Sequence, residues 1–283
     1  MYLDTHSKEG MTNSVCKILG VSYNQIKELF NYSAFLSQTK SYFDKGIFND
    51  ELNKFILKHQ IKENVDYILF FHLTRRLNNS SMDFSGKNLK ELLLTDNEIS
   101  SFLKNHNVEF KFNGEYIDIY YNKKLIQLKE GLESNIPYLK SRLGHFKYRK
   151  DYCFNGFAFK DLLYRNDYAK NLFYGPEFIT VIWDFLNCPT IKIDYFKNSK
   201  YFCYEYLVPI KNVYFDEVDS LNTSKKAQYL INKILNRLFD YEDLYIDNIS
   251  DYQNPGLRLN DDVSMNEKYF VSKEEISREM LKY

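Results

Sequence analysis

An α+β fold, a mixed sheet core with helical segments at both ends, is what this sequence predicts, and three observations predict it. Tyr67-Ile68-Leu69-Phe70-Phe71-His72-Leu73 is a continuous apolar run of strand length and suits a strand buried on both faces. Two alternating runs, Val108 to Phe112 and Glu115 to Tyr120, flank Asn113-Gly114, the pair that a tight type I′ hairpin demands. Helix-period stretches flank both, over residues 11–60 and from Thr223 to Phe239. With no internal repeat and no low-complexity linker, the chain reads as one domain. Its parts are a helical N-terminal segment (1–62), a mixed α/β core (63–240) and a C-terminal extension packed on that core (241–283).

In chain order, Ser22 caps a helix whose Ile26, Leu29 and Phe30 share a face. Asn49-Asp50-Glu51 starts another, with Leu52, Phe55 and Ile56 at helical spacing. After the apolar strand and Arg75-Arg76 comes a polar loop, Asn78 to Ser81, then short helices over Gly86–Thr95 and Glu98–Lys104. Pro137 opens a helix to Leu143, where its missing N–H costs little. Cys153 to Phe159 reads as a strand broken at Asn155-Gly156, and Lys160 to Phe173 as a helix. Gly175-Pro176-Glu177 starts the next helix, through Phe185, with Glu177 in the turn that favours an anion. Thr190–Asp194, Tyr201–Pro209 and Val213–Phe215 read as strands, and Lys273–Lys282 as a last helix.

Composition excludes some classes. Lys+Arg and Asp+Glu are both 38, so the chain lacks the overall basic footprint of a generic polyanion binder. The 25 Tyr and 23 Phe are spread along the whole chain, as codon bias in an AT-rich genome would spread them. Cys16, Cys153, Cys188 and Cys203 form no C-x-x-C pair and sit among apolar neighbours, which predicts free thiols in a reducing compartment and no thiolate metal site. The N-terminus lacks an apolar core of signal-peptide length, and no stretch approaches the ~18 apolar residues of a membrane helix. A cytoplasmic protein without a membrane partner is the expectation. ATP-binding, Rossmann, serine-hydrolase and zinc-protease signatures are all missing.

Three constellations carry candidate chemistry. In Phe71-His72-Leu73-Thr74-Arg75-Arg76, alternation puts His72 and Thr74 on one strand face, where they can bond a sugar diol, and Arg75 can meet a diphosphate with two parallel bonds. A satisfied core histidine and two surface arginines fit the same spacing. In Tyr201 to Pro209, Glu205 lies mid-strand among aromatics. Such a carboxylate either points to water, with Tyr204 and Tyr206 buried on the other face, or has a functional partner. From Tyr138 to Lys150, Lys140, Arg142, Lys147, Arg149 and Lys150 interleave with Tyr and Phe. That pattern fits either a solvated face or a grip on single-stranded nucleic acid.

The His-x-Thr-Arg strand together with Glu205-Tyr206-Leu207-Val208-Pro209 resembles two pocket strands of the ADP-ribosyltransferase superfamily, in the branch of poly-ADP-ribose polymerases and bacterial DNA-modifying toxins. The resemblance covers about residues 65–80 and 200–216, and the family's middle motif is not evident here. It implies a split mixed sheet, NAD as substrate without a metal, His72 and Thr74 on the ribose, Arg75 nearby, and Glu205 as the catalytic carboxylate. Tyr138 or Tyr152 would stack on nicotinamide, and a nucleic-acid or protein acceptor in a toxin or phage-defence setting would follow. A non-catalytic module that binds nucleic acid or another protein is the alternative.

Overall fold

The computed structural model describes residues 1–38, 42–80, 84–129, 135–148, 150–218, 220–243, 251 and 253–281. In chain order the elements are α1 (Lys8–Leu19), α2 (Tyr23–Ser37), α3 (Lys45–His59), β1 (Tyr67–Leu77), α4 (Leu89–Leu94), α5 (Glu98–Asn105), β2 (Val108–Phe112), β3 (Ile117–Tyr121), β4 (Lys124–Ile126), α6 (Asn135–Arg142), β5 (Asn155–Phe157), α7 (Asp167–Leu172), α8 (Glu177–Phe185), α9 (Pro189–Lys197), β6 (Ser199–Pro209), β7 (Tyr214–Phe215), α10 (Thr223–Asp243), β8 (Gly256–Arg258) and β9 (Phe270–Glu275). The fold is α+β, with helical segments toward both ends. Among the described residues no helix is long and apolar enough to cross a membrane.

The chain divides into two compact units: Met1–Phe71 with Phe157–Asn166 and Leu207–Leu257, and His72–Gly156 with Asp167–Tyr206 and Arg258–Tyr283. In the first unit, α10 packs on α1 and α3. Leu230, Ile234, Leu235 and Leu238 of α10 are buried, as are Phe48, Leu52 and Ile56 of α3. Capping sets the helix starts. Ser22 and Gln25 form a reciprocal capping box on α2. Asp44 accepts from the Gly46 and Ile47 amides, so α3 begins at Lys45, ahead of the expected Asn49-Asp50-Glu51 start. A buried polar cluster ties later segments to this core. Arg237 pairs with Asp251 and lies 3.7 Å from Asp161, while Asn254 donates to Asp251. Phe71 of β1 pairs with Phe157 of β5, so Asn155-Gly156 lies within a strand instead of breaking one.

The second unit holds α4 to α9, the β2-β3-β4 sheet, β1 from His72 onward, β6 up to Tyr206, and β9. Here β6 lies between β1 and β9. The hairpin β2–β3 forms in the register Phe112 opposite Ile117, but its connection is longer than the two-residue turn expected. Asn113 accepts from the Glu115 and Tyr116 amides through its side chain, an Asx-type closure that uses both residues. The two-residue turn occurs next, at Asn122-Lys123, where both residues have positive φ, as type I′ requires.

Three further expectations fail locally. Thr190–Asp194 alternates like a strand but is helical in α9, because Pro189 opens the helix and Ile191 and Tyr195 bury one face four residues apart. Lys160–Phe173 is a 3₁₀ turn at Leu163–Arg165 followed by the short α7. The expected final helix is replaced by edge strand β9 and a 3₁₀ turn at Arg278–Met280; Lys282 lies outside the described residues, as does Ser81 of the expected polar loop.

A candidate ligand hollow on one face of the first strand

Strand alternation gives β1 two chemically different faces. His72, Thr74 and Arg76 form one, and Leu73, Arg75 and Leu77 the other. A hollow of about 190 Å³ opens along the first face, entirely within the second unit. His72, Thr74 and Arg76 line it with Phe154 and Asn155. From the helices come Leu89, Leu92 and Leu93 of α4, Tyr138 and Arg142 of α6, Tyr168 and Leu172 of α7, and Glu177, Phe178 and Ile179 of α8, with Lys87 just ahead of α4.

His72 is fixed on two sides. Its Nδ1 lies 2.7 Å from the Asn155 carbonyl, and its ring packs on Phe154 at 4.0 Å. Burial, with the Arg76 charge adding to it, pushes its pKa down to about 4. The ring is therefore neutral near pH 7. Because a carbonyl can only accept, the proton sits on Nδ1 and Nε2 is left as an acceptor. Such a group receives a ligand hydroxyl. The Tyr138 phenol is raised above its ordinary value by burial and stays protonated, a donor in the same hollow.

The cations differ in how far the protein satisfies them. Arg75 also touches the hollow, but its guanidinium donates to Ser199 Oγ and to the Phe173, Phe196 and Ser199 carbonyls, and it packs on the Phe173 and Phe196 rings. It holds structure together and does not present the open fork expected for a diphosphate. Arg76 donates to the Ser85 carbonyl and lies over the Tyr204 ring at 5.2 Å. Lys87 pairs with Glu91 at 2.8 Å. Arg142 pairs with Asp151 at 3.0 Å, and its Nε is buried without a partner among the described residues. Glu177 is the one carboxylate among the described residues lining the hollow.

Glu205 does not join this site. Arg76 lies over Tyr204, Phe154 meets Tyr206 edge-on at 6.0 Å, and the Tyr204 and Tyr206 rings stack on each other. Both tyrosines therefore share the His72 face, and Glu205 between them faces the other side of the sheet. There its Oε2 accepts from Ser272 Oγ of the paired strand β9 at 2.8 Å. The expectation that His72 and Glu205 meet across one hollow is corrected by this alternation. Tyr152 is likewise absent from the hollow. It is buried in the apolar core, and its hydroxyl donates to the Leu143 carbonyl where Gly144, at φ +77°, turns the chain after α6.

The basic segment is split. Arg142 belongs to the hollow, Lys147 is 3.7 Å from Glu115, and Lys150 donates to the Glu115 carbonyl. Lys140 is half-buried and does not line the hollow; Arg149 lies outside the described residues. Arg142 thus lines the hollow and not only the basic segment, and Glu177, which the sequence places at a helix start, lines it too. The four-residue spacing of Tyr138 and Arg142 on a short helix was the available signal that both share a face.

This geometry defines an α+β protein with a hollow that combines hydroxyl partners, aromatic rings and incompletely satisfied cations. No family model, curated protein or solved structure matches the chain.

Proposed function

We propose that the His72 hollow binds NAD, and that the chain is an ADP-ribosyltransferase-like protein that grips a ribose through His72 and Thr74. The observation that carries this reading is the neutral His72, whose acceptor nitrogen has no partner among the described residues, beside Thr74, in a hollow that also offers aromatic rings and arginines. Cleavage of the nicotinamide–ribose bond builds positive charge on the sugar, and a nearby carboxylate stabilises it. With Glu205 on the opposite face, Glu177 takes that role in this reading. The bond breaks with its electron pair leaving on nicotinamide, and the acceptor's nucleophile, or water, then attacks the sugar.

NAD labelled in its nicotinamide tests the reading. Wild type is expected to release nicotinamide, His72→Ala and Glu177→Gln to lose at least about tenfold of that rate, and Glu205→Gln to keep it. Absence of release by folded wild type, with water and with nucleic-acid or protein acceptors offered, overturns it.

The exposed Tyr148, next to Lys147, favours a second reading, a surface that stacks and neutralises single-stranded nucleic acid. Fluorescence anisotropy with a labelled oligonucleotide would show salt-dependent binding weakened by Tyr148→Ala; no binding at low salt removes this reading.

A further inference from the structure

Among the cations that line the hollow, Arg76 and Arg142 are less fully satisfied than Arg75. Arg75 has an acceptor for each direction in which its guanidinium reaches, including two carbonyls at 2.6 Å. Arg142 keeps only 15% of its side chain exposed, yet a single contact, Nη1 to Asp151, accounts for all of its partners among the described residues. Its Nε is shut off from water and unbonded. Arg76 uses one nitrogen on the Ser85 carbonyl and leaves its others without a protein acceptor among the described residues. A buried N–H without an acceptor is costly and calls for its own explanation, and both arginines line the hollow.

The charge balance of the lining has a definite sign. Lys87 and Arg142 are each paired with one carboxylate, Glu91 and Asp151. Glu177 is the only carboxylate among the described lining residues, at an exposed position. With Arg75 and Arg76 set against Glu177, the described lining stays net positive, and the planar guanidinium groups of Arg76 and Arg142 favour oxyanions that accept two parallel bonds. Opposite chemistry lies along β1, where His72 accepts and Thr74 can donate or accept, the partners of sugar hydroxyls. Size narrows the class. About 190 Å³ falls below the roughly 300–1,000 Å³ of pockets that enclose drug-sized ligands. That volume suits one phosphorylated sugar, with the rest of any dinucleotide outside it.

We infer that the hollow recognises a phosphorylated pentose, as a free sugar phosphate or as the sugar-phosphate part of a nucleotide, with the phosphate on Arg142 and Arg76 and the hydroxyls on His72 and Thr74. The inference shares the NAD reading's hollow and names the part of the ligand enclosed there.

Titration calorimetry with the full chain tests it, using ribose 5-phosphate, ribose, inorganic phosphate and AMP as probes. Ribose 5-phosphate is expected to bind at least tenfold more tightly than ribose or inorganic phosphate alone, and Arg142→Gln and Arg76→Gln each to weaken it about tenfold or more. Comparing ribose 5-phosphate with ribose on wild type needs no variant, so a misfolded Arg142→Gln leaves the test intact. AMP binding as tightly as ribose 5-phosphate places the nucleotide form in the hollow; AMP binding much more weakly selects the free sugar phosphate. Equal affinity for ribose and ribose 5-phosphate, no binding of either, or wild-type affinity in both arginine variants overturns the inference. Ribose 5-phosphate binding without NAD cleavage sinks the NAD reading alone. NAD cleavage with phosphate-blind sugar binding sinks this inference alone.

Discussion

On one face of β1, Arg75 reaches four protein acceptor atoms and two phenylalanine rings; on the other, one residue later, Arg76 reaches a single carbonyl and a tyrosine ring. The two side chains have the same chemistry and adjacent positions, so the difference comes from what the neighbouring elements bring to each face. The Arg75 side is met by α9 and the start of β6, whose carbonyls and Ser199 hydroxyl are turned toward it. The Arg76 side is met by a hollow. A guanidinium enclosed by acceptors ties elements together, and one left short of acceptors is available to something else.

Substituting the pair tests that contrast with the largest expected effect. Arg75→Met should lower unfolding free energy by about 3 kcal/mol, because it strands several buried acceptors at once. Arg76→Met should cost roughly 1 kcal/mol or less, the scale of one carbonyl bond and one ring contact. Urea unfolding of the two variants against wild type measures both. Equal losses would break the distinction between the faces.

The same contrast shows how far the sequence could be read. The apolar run of β1 and the shared face of His72 and Thr74 follow from local pattern, and both appear in the structure. The fate of Arg75 does not follow, since its acceptors lie at Phe173, Phe196 and Ser199, far along the chain. Glu205 was undecidable for a related reason. Alternation says that Glu205 opposes Tyr204 and Tyr206, but not which set faces His72, and only the Arg76–Tyr204 and Phe154–Tyr206 contacts choose. In α9, Ile191-Lys192-Ile193 carries a strand-like alternation, and the burial of Ile191 with Tyr195 overrides it. In β9 the reverse holds. Lys273 to Glu275 reads as the start of a helix and is exposed, and pairing with β6 makes it part of an edge strand.

His72 sharpens the contrast through pH. Its folded pKa is depressed to about 4 from an ordinary 6.5. Between those values the unfolded chain holds more protons than the folded one, so this residue's contribution to stability falls as pH drops from 6.5 toward 4. His72→Gln removes that slope. Asp251, in the other unit, acts with opposite sign. Burial raises it from 3.8 to about 6, so its contribution is full below 3.8 and is lost as pH rises through 6. Both proteins share Asp251, so it cancels in the difference. Unfolding curves from pH 4.5 to 7.5 should show wild type losing ground to His72→Gln with acidification. A pH-independent difference would mean that the imidazole is as open to water in the folded chain as in the unfolded one.

Glu205 gives the smallest expected effect and the most direct check on which face is which. It is half-buried on the side of the sheet away from the hollow, with Ser272 Oγ as a hydrogen-bond donor on an edge strand. Glu205→Gln keeps an oxygen for that hydroxyl and should shift stability within about 0.5 kcal/mol. It should also leave the affinity for ribose 5-phosphate unchanged, while the conservative Arg142→Lys, which loses the planar fork, should weaken it. Calorimetry on these two variants separates the sides of the sheet without depending on any reaction. A fall in affinity in Glu205→Gln would put the carboxylate in communication with the ligand, and the assignment of faces drawn from the Tyr204 and Tyr206 contacts would then be wrong.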